Sequence, residues 1–246
     1  MRGAERHVLH GHTATLGHPD RQDAERRRRH RSCASSAPVG HGAGSTVAAV
    51  VPEVRTERLT LRGWRTADRA PFAAVNADPT VVEYLPGALA RRESDDLAAR
   101  IEAGWEQHGY GLWAVEVPGV APFVGFVGLS RASFEAPFTP AVEVGWRLAA
   151  SAWGHGYATE AGRAALRFGF QEHQLDEIVS FTTRGNTRSR RVMERLGMHH
   201  DAADDFPHPS LPEGSPLRRH VLYRLDRFTW TPRPPDSTSP RRSRPS

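Results

Sequence analysis

Two glycines before a predicted helix are the first feature of this sequence that could do chemistry. The segment Trp153-Gly154-His155-Gly156-Tyr157-Ala158 joins an apolar stretch to a run with helical periodicity. Glycine lets the backbone approach a ligand closely, and the first N–H groups of a helix lie unpaired at the positive end of its dipole. Such a segment is typical of a phosphate-binding turn. Glycines also form ordinary tight turns, so the residues alone leave both interpretations open.

The turn differs from the commoner nucleotide-binding loops. It lacks the third glycine of the dinucleotide fingerprint and the Gly-Lys-Ser/Thr end of a P-loop. No lysine occurs anywhere in the chain. A helix start without lysine suits a diphosphate bound mainly through backbone N–H groups.

A second segment, 186–198, follows a predicted strand. It begins with Asn186, which is a good helix N-cap, and ends at Gly197, which is a typical helix stop. Val192, Met193 and Leu196 form its apolar side. Alone, these residues predict a capped helix whose arginines are solvated.

The pattern around these segments predicts an α/β (α+β) fold. Strands are predicted at 57–62, 110–117, 123–130, 141–148, 178–183 and 220–225. Helices are predicted at 66–75, 78–87, 92–108, 157–173 and 187–196. Strands 110–117 and 123–130 flank a Pro118-Gly119 turn and form a hairpin. A meander followed by βαβα units gives a mixed sheet with helices on its faces.

Charge separates the chain into three parts. The 33 Lys+Arg, all of them arginine, and 28 Asp+Glu give a net charge of +5. Residues 1–52 hold 8 Arg and 4 acids (+4), and residues 229–246 hold 4 Arg and 1 acid (+3). The middle part, 53–228, therefore has 33 − 12 = 21 Arg and 28 − 5 = 23 acids, a net of −2. Both ends are poor in large apolar side chains, so we predict disordered tails at 1–52 and 229–246 around one domain at 53–228.

Composition excludes several classes of protein. No run of about 18 apolar residues is present to span a membrane. The apolar run 47–51 is too short for a signal peptide, so we expect a cytoplasmic protein. The single cysteine, Cys33, excludes an internal disulfide and a cysteine-based zinc site, and we predict no metal. The arginine-rich run 26–31 leaves two interpretations open, a solvated tail or a segment that binds nucleic acid or an acidic surface.

Together, the two segments resemble the two cofactor motifs of the GNAT superfamily of acetyl-CoA-dependent N-acetyltransferases. The likeness is to the RimJ/RimL-like branch, which acetylates N-termini of ribosomal proteins. The motifs are Trp153-Gly154-x-Gly156-Tyr157-Ala158-Thr159-Glu160-Ala161, Asn186-x-x-Ser189-x-x-Val192-Met193-Glu194-x-Leu196-Gly197-Met198, Thr56-Glu57-Arg58-Leu59-x-Leu61-Arg62 followed by Asp68, and Phe123-Val124-Gly125-Phe126-Val127-Gly128-Leu129. The resemblance covers about 55–227 and neither tail. It implies a mixed, mostly antiparallel central sheet with helices on both faces.

The resemblance also implies an activity, acetyl transfer from acetyl-CoA to a primary amine by direct attack in a ternary complex. The amine belongs to a protein N-terminus or to a small molecule. Trp146 and Leu148 would pair with the pantetheine arm like an added strand, and an N–H at 145–146 would stabilise the oxyanion. The pyrophosphate would lie on the N–H groups of Gly154, His155, Gly156, Tyr157 and Ala158. Asn186 would contact the pantetheine arm or an active-site water, and Arg190 a CoA phosphate.

Two side chains are candidates for proton transfer under this resemblance. Glu143 lies on the strand that would carry the acetyl group and is the candidate base. Ser189 is the nearest hydroxyl to protonate the leaving thiolate, since Met193 stands where many members have tyrosine and cannot donate. Their alternatives are a strand-surface carboxylate and a helix-surface serine.

Some features leave the function open. Ser151 stands where the superfamily usually has arginine or glutamine. Together with Met193 it would also fit a non-catalytic CoA-binding module. A third hypothesis is that the arginine-rich tail binds nucleic acid. We do not expect the domain itself to bind nucleic acid. The acceptor amine would be recognised by residues 66–108 and 204–216, and the sequence does not identify it or the oligomeric state.

Overall fold

The computed structural model describes residues 50–231. The predicted tails lie almost wholly outside these residues, as does the arginine-rich run 26–31. At the two ends of the described part, the chain contacts the domain. The Pro52 carbonyl accepts a hydrogen bond from Trp113 Nε1 (2.8 Å), and Trp230 packs against Phe170 with ring centroids 5.2 Å apart.

One mixed sheet runs through the described residues. Its strands are β1 (Val54–Arg55), β2 (Thr60–Arg62), β3 (Leu112–Val117), β4 (Ala121–Arg131), β5 (Val142–Leu148), β6 (Glu177–Thr183), β7 (His199–His200), β8 (Phe206–Pro207) and β9 (Arg219–Asp226). Their order is β1-β2-β3-β4-β5-β6-β9-β7, and β8 pairs with β9. Every pairing is antiparallel except that of β5 with β6.

Helices cover both faces of the sheet, which confirms the predicted fold class. They are α1 (Arg69–Ala77), α2 (Arg91–His108), α3 (Tyr157–Arg167) and α4 (Thr187–Arg195). Alternate residues of a strand point to opposite faces. Leu112 of β3 therefore packs in the cluster of α1 and α2, whereas its neighbour Trp113 belongs to the core that includes α3 and α4.

The structure differs from the predicted elements in several places. The strand predicted at 57–62 covers only Thr60–Arg62, and the helix predicted from residue 66 begins as a 3-10 turn at Thr66–Asp68. Residues 78–87 form turns rather than a helix. The Asp78 carboxylate accepts the Thr80 N–H (2.8 Å) and the Asp78 carbonyl accepts the Val82 N–H (3.0 Å), as at a helix start, but the segment reaches Pro86 within two turns, and the residue before a proline is disfavoured in the α conformation. The helix predicted at 157–173 is α-helical only to Arg167 and continues as a π-turn at Phe168–Glu172. Strands β1, β7 and β8 were missed because two residues are too few to show a period.

The parallel pairing of β5 with β6 creates an opening in the sheet. β4 and β5 pair at every position from Gly125↔Leu148 to Arg131↔Val142. By contrast, β5 and β6 pair only at Glu143↔Val179. Later residues of both strands face a cavity instead of each other. The sheet is therefore split beyond Glu143, and backbone groups of β5 on this edge are open to a ligand.

A buried pair of histidines stands beside this part of the sheet. The rings of His208 and His220 lie 5.0 Å apart, among phenylalanines that include Phe181 of β6. Burial lowers the pKa of each imidazole to about 4. Both rings are therefore neutral at physiological pH.

We expect the two histidines to lower the stability of the domain as the pH falls from about 6.5 towards 4. In that window the unfolded histidines bind protons and the folded ones do not, so protons on these residues favour the unfolded state. Between pH 7.5 and 5.5 the histidine contribution to the free energy of unfolding should fall by about 1–3 kcal/mol, against an opposite contribution from the buried Glu143. Thermal unfolding of wild type and variants at both pH values measures the histidine contribution. The His220→Phe variant should be more stable relative to wild type at pH 5.5 than at pH 7.5, whereas His199→Phe, at an exposed position, should match wild type at both. An unaltered pH dependence in His220→Phe would contradict the assignment.

Candidate active site

A cavity of about 390 Å³ occupies the split between β5 and β6. Most of the predicted site residues line it: Glu143, Trp146, Leu148, Gly154, Gly156, Tyr157, Ala158, Asn186 and Ser189. His155 and Arg190 are the two predicted residues that do not. The structure thus brings together segments that are more than 40 residues apart in the chain.

The cavity has two sides, because successive side chains of β5 point to opposite faces of the sheet. Arg147 points towards α1, where its Nη1 donates to Asn76 Oδ1 (2.6 Å), and Glu143 and Gly145 share that face. Leu148 points the other way, into the core that includes α3, and Trp146 packs against the same core. The opening in the sheet therefore joins a side that carries the glycine turn to a side that carries Glu143.

The glycine turn has the backbone conformation that only glycine adopts easily. Gly154 has φ +81° and Gly156 has φ +83°, both in the left-handed region. Gly156 is the N-cap of α3, so the unpaired N–H groups of the first helical turn begin at the cavity. Trp153 Nε1 donates to the Leu148 carbonyl (2.9 Å) and holds the turn against β5. Ser151 is exposed and outside the cavity wall.

Asn186 caps α4, as its residue type predicts. Its Oδ1 accepts the Ser189 N–H (3.1 Å), and its Nδ2 donates to Thr182 Oγ1 (3.1 Å). Both ends of the amide therefore tie α4 to the end of β6. Met193 is buried below them and lines the cavity.

Three arginines of α4 that the sequence did not single out line the cavity. They are Arg188, Arg191 and Arg195, spaced i, i+3 and i+7 on one helix face. Arg190 lies on another side of α4, where its Nε donates to Tyr223 Oη (3.3 Å). Helical spacing separates Arg190 from the other three arginines, but it does not show which of the two sides faces the cavity.

Arg188 connects the two sides of the cavity at its mouth. Its guanidinium pairs with Glu83 (2.5 Å) and lies 4.6 Å from the ring centroid of Trp153. It also lies 5.9 Å from the ring of Tyr84. The 78–87 segment is thereby attached to the glycine turn through the first turn of α4.

Glu143 lies in an environment that favours a neutral carboxyl group. Its side chain is 8% exposed, and burial raises its pKa to about 8. Its Oε1 lies 3.7 Å from the point where a Cβ on Gly145 would stand, so the carboxyl group lies over Gly145. A carboxyl group with this pKa can accept a proton from an amine near neutral pH.

The fold and the site together define a class of protein. The glycine turn at the start of α3 lies beside the open edge of β5, where the acetyltransferase resemblance would place acetyl-CoA. The family model described as an acetyltransferase (GNAT) domain matches residues 58–199. The chain belongs to the GNAT acetyltransferase family.

Known proteins of similar sequence and fold agree with this assignment. The FsC-acetyl coenzyme A-N(2)-transacetylase of Aspergillus fumigatus is 30% identical over 193 residues, which are 73% of this chain and 78% of that protein. A crystal structure of an acetyltransferase from Agrobacterium tumefaciens is 26% identical, with a TM-score of 0.56, and covers 78% of this chain and 99% of its own. RimJ of Mycobacterium smegmatis, solved in complex with CoA-disulfide, is 21% identical with a TM-score of 0.51 and covers 68% and 81%. At that identity it supports the fold alone.

Two features are absent from residues 50–231. No group of three or more histidine, cysteine, aspartate or glutamate side chains is placed to hold a metal ion. No helix in this range has the length and apolar character needed to cross a membrane.

Proposed function

We propose that this protein is an N-acetyltransferase that moves an acetyl group from acetyl-CoA to a primary amine by direct attack in a ternary complex. One observation carries the proposal. A single cavity joins the glycine turn to the buried carboxyl group of Glu143 through the split in the sheet. The donor would occupy the side of α3 and α4, and the acceptor the side of α1 and α2.

The donor side offers groups suited to each part of acetyl-CoA. Backbone groups of Trp146 and Leu148, on the edge of β5 that β6 leaves open, would pair with the pantetheine arm. The N–H groups from Gly154 to Ala158 would hold the pyrophosphate. His155 would contribute its backbone only. The Asn186 side-chain amide can form further hydrogen bonds beyond those to Ser189 and Thr182, and with these it would contact the pantetheine arm or a water.

Arginines of α4 would bind the phosphates of CoA. Arg191 and Arg195 line the cavity, have exposed positions and form no ion pair within the described residues. Guanidinium groups bind phosphate oxygens in a bidentate manner. Arg190, the predicted phosphate contact, would have to give up its bond to Tyr223.

We expect Arg191→Ala and Arg195→Ala each to raise the KM for acetyl-CoA about five- to tenfold, with kcat little changed. The loss should shrink at high salt because screening weakens charge contacts. Steady-state kinetics at low and high salt measure both effects. Arg190→Ala is the matched control on the same helix and should have a smaller effect. An equal or larger loss in Arg190→Ala would instead support Arg190 as the phosphate contact.

Chemistry would proceed on the acceptor side. Glu143 would take a proton from the ammonium form of the acceptor, whose α-amino pKa is about 7.7–8.0 when free. The neutral nitrogen would attack the thioester carbon, an N–H of the 145–146 edge would stabilise the oxyanion, and the C–S bond would break as the C–N bond forms. Ser189 would donate a hydrogen bond to the leaving thiolate, since Met193 cannot. The proton that the nitrogen loses as the amide forms would pass to the thiolate sulfur.

The motifs, one relative and the cavity wall bear on the class of the acceptor. The motifs at 56–62 and 186–198 support the RimJ/RimL-like branch, and hence a protein N-terminus, while the name of the Aspergillus relative supports transfer to nitrogen. Of the two predicted recognition segments, 66–108 contributes Thr80, Val81, Tyr84 and Leu85 to the cavity wall. Residues 204–216 contribute none. We therefore infer that the 78–87 segment carries most of the acceptor selectivity.

An acceptor screen tests the proposed function. The full chain is incubated with acetyl-CoA and a panel of N-terminal peptides and small amines, and thiol release and product mass are measured. The chain has no lysine, so acetylated lysine can come only from the acceptor. Release with at least one amine supports the proposal. CoA binding without release for any acceptor would favour a non-catalytic binding module.

A further inference from the structure

Arg58 is the residue of the Thr56–Leu59 motif whose role the mechanism above leaves open. We propose that Arg58 is a positioning residue that, held by Glu160, fixes the glycine turn so that its N–H groups face the donor phosphates. This inference rests on the proposed function, because it assigns a role in binding acetyl-CoA.

The Arg58 guanidinium spans the base of the turn. Its Nε and Nη2 contact Glu160 Oε2 at 2.8 and 2.6 Å, while its Nη1 donates to the His155 carbonyl at 2.9 Å. The planar guanidinium holds all three bonds in one fixed geometry, which an ammonium group cannot reproduce. The same group lies 5.1 Å from the centroid of the Tyr157 ring.

Glu160 completes this arrangement from the first turn of α3. Its Oε1 accepts bonds from Thr56 Oγ1 (2.6 Å) and from the Arg58 N–H (2.8 Å). Burial alone would raise the pKa of this carboxyl group, but the hydrogen bonds from Thr56 and Arg58 outweigh it and lower the pKa. Glu160 is thus ionised, and the Arg58 charge offsets a carboxylate that would otherwise repel a phosphate at this helix start.

The bond to His155 sets the direction of a neighbouring N–H group. A trans peptide is rigid and planar, so the His155 carbonyl and the Gly156 N–H point in opposite directions. Arg58 holds the carbonyl on the side away from the cavity, since Gly156 lines the cavity and His155 does not. The Gly156 N–H is then directed into the cavity. Without Arg58, this peptide can rotate, because glycine allows many conformations.

The test compares two acetyl donors, acetyl-CoA and the phosphate-free acetyl-pantetheine, in the full chain. In Arg58→Ala the KM for acetyl-CoA should rise about tenfold, as expected for lost bonds to a charged group. We expect kcat at saturating acetyl-CoA to stay within about twofold of wild type, and kcat/KM for acetyl-pantetheine to be unchanged. The KM of Arg58→Lys for acetyl-CoA should lie between those of wild type and Arg58→Ala, because lysine keeps the charge but lacks the planar guanidinium.

Arg55→Ala is the matched control, since the Arg55 side chain is 79% exposed and pairs with Glu53 on the neighbouring surface. Glu160→Gln, which keeps a hydrogen-bond acceptor and loses the charge, should show the same selective loss for acetyl-CoA to a smaller degree. An unchanged KM for acetyl-CoA in Arg58→Ala would overturn the inference, as would an equal loss with both donors. If wild type itself fails to use acetyl-CoA, the proposed function fails. If wild type uses it and Arg58→Ala does so equally well, only this inference fails.

Discussion

Replacing Glu143 by glutamine is expected to lower kcat/KM for the acceptor by about 10²–10⁴-fold at pH 8.5, the range for loss of a general base. At pH 6 the ratio of wild type to variant should be much smaller. Burial raises the pKa of Glu143 to about 8, so most wild-type molecules at pH 6 also lack the base. The pH profile of kcat/KM measures the difference. Parallel profiles in wild type and Glu143→Gln would exclude Glu143 as the base.

The same substitution has an opposite effect on stability. Because the folded pKa lies above the unfolded one, the folded state binds more protons between about pH 4.5 and 8, and stability falls as the pH rises through this window. Glutamine removes the buried ionisable group, so Glu143→Gln should be at least as stable as wild type above about pH 8. Thermal unfolding checks that lost activity is not lost folding. Glu135→Gln, at an exposed position between β4 and β5, should leave activity and stability unchanged.

Replacing Gly156 by valine is expected to weaken CoA binding by at least about tenfold, which corresponds to about 1.4 kcal/mol. Gly156 has φ +83°, and a β-branched residue in this region is strained. A Cβ at this position would lie 3.4 Å from Arg58 Nη2, so the methyl groups of valine would also crowd the guanidinium that holds the turn. Isothermal titration with CoA measures the loss.

The control for this experiment is Gly119→Val. Gly119 has φ +75° in the β3–β4 turn, and a Cβ there meets nothing within 4 Å. Gly119→Val should lower the free energy of unfolding about as much as Gly156→Val does, since the backbone strain is the same, but it should leave the affinity for CoA unchanged. Equal CoA affinity in Gly156→Val and wild type would remove the phosphate-binding role from the turn.

Much of the fold could be predicted from the sequence, because the patterns that indicate helices and strands involve residues close together in the chain. Strand alternation in 141–148 and the apolar stripe of 92–108 each depend on residues within a few positions of one another, and both elements formed within one residue of their predicted limits. The helix predicted at 78–87 did not form, because the segment starts with a cap at Asp78 but reaches Pro86 after too few residues to sustain a helix.

The candidate site was predicted in outline and not in detail. The cap by Asn186 and the turn at Gly154 and Gly156 came from residue types whose backbone preferences are intrinsic. The choice between Arg190 and its neighbours did not, because that depends on which side of α4 faces the split. The contact of Arg58 with Glu160 joins residues 102 positions apart, and no local pattern indicates it.

Residue types and short-range patterns therefore specify most of the elements, the glycine turn and the helix cap, because steric preferences act over a few residues. Packing between distant segments sets three other features: β5 and β6 separate after one pair, Arg188, Arg191 and Arg195 face the opening, and Arg58 holds the turn. It also decided the chemistry of Glu143. A glutamate on a strand has an ordinary pKa unless distant segments pack around it and remove water, and here burial raises the pKa to about 8.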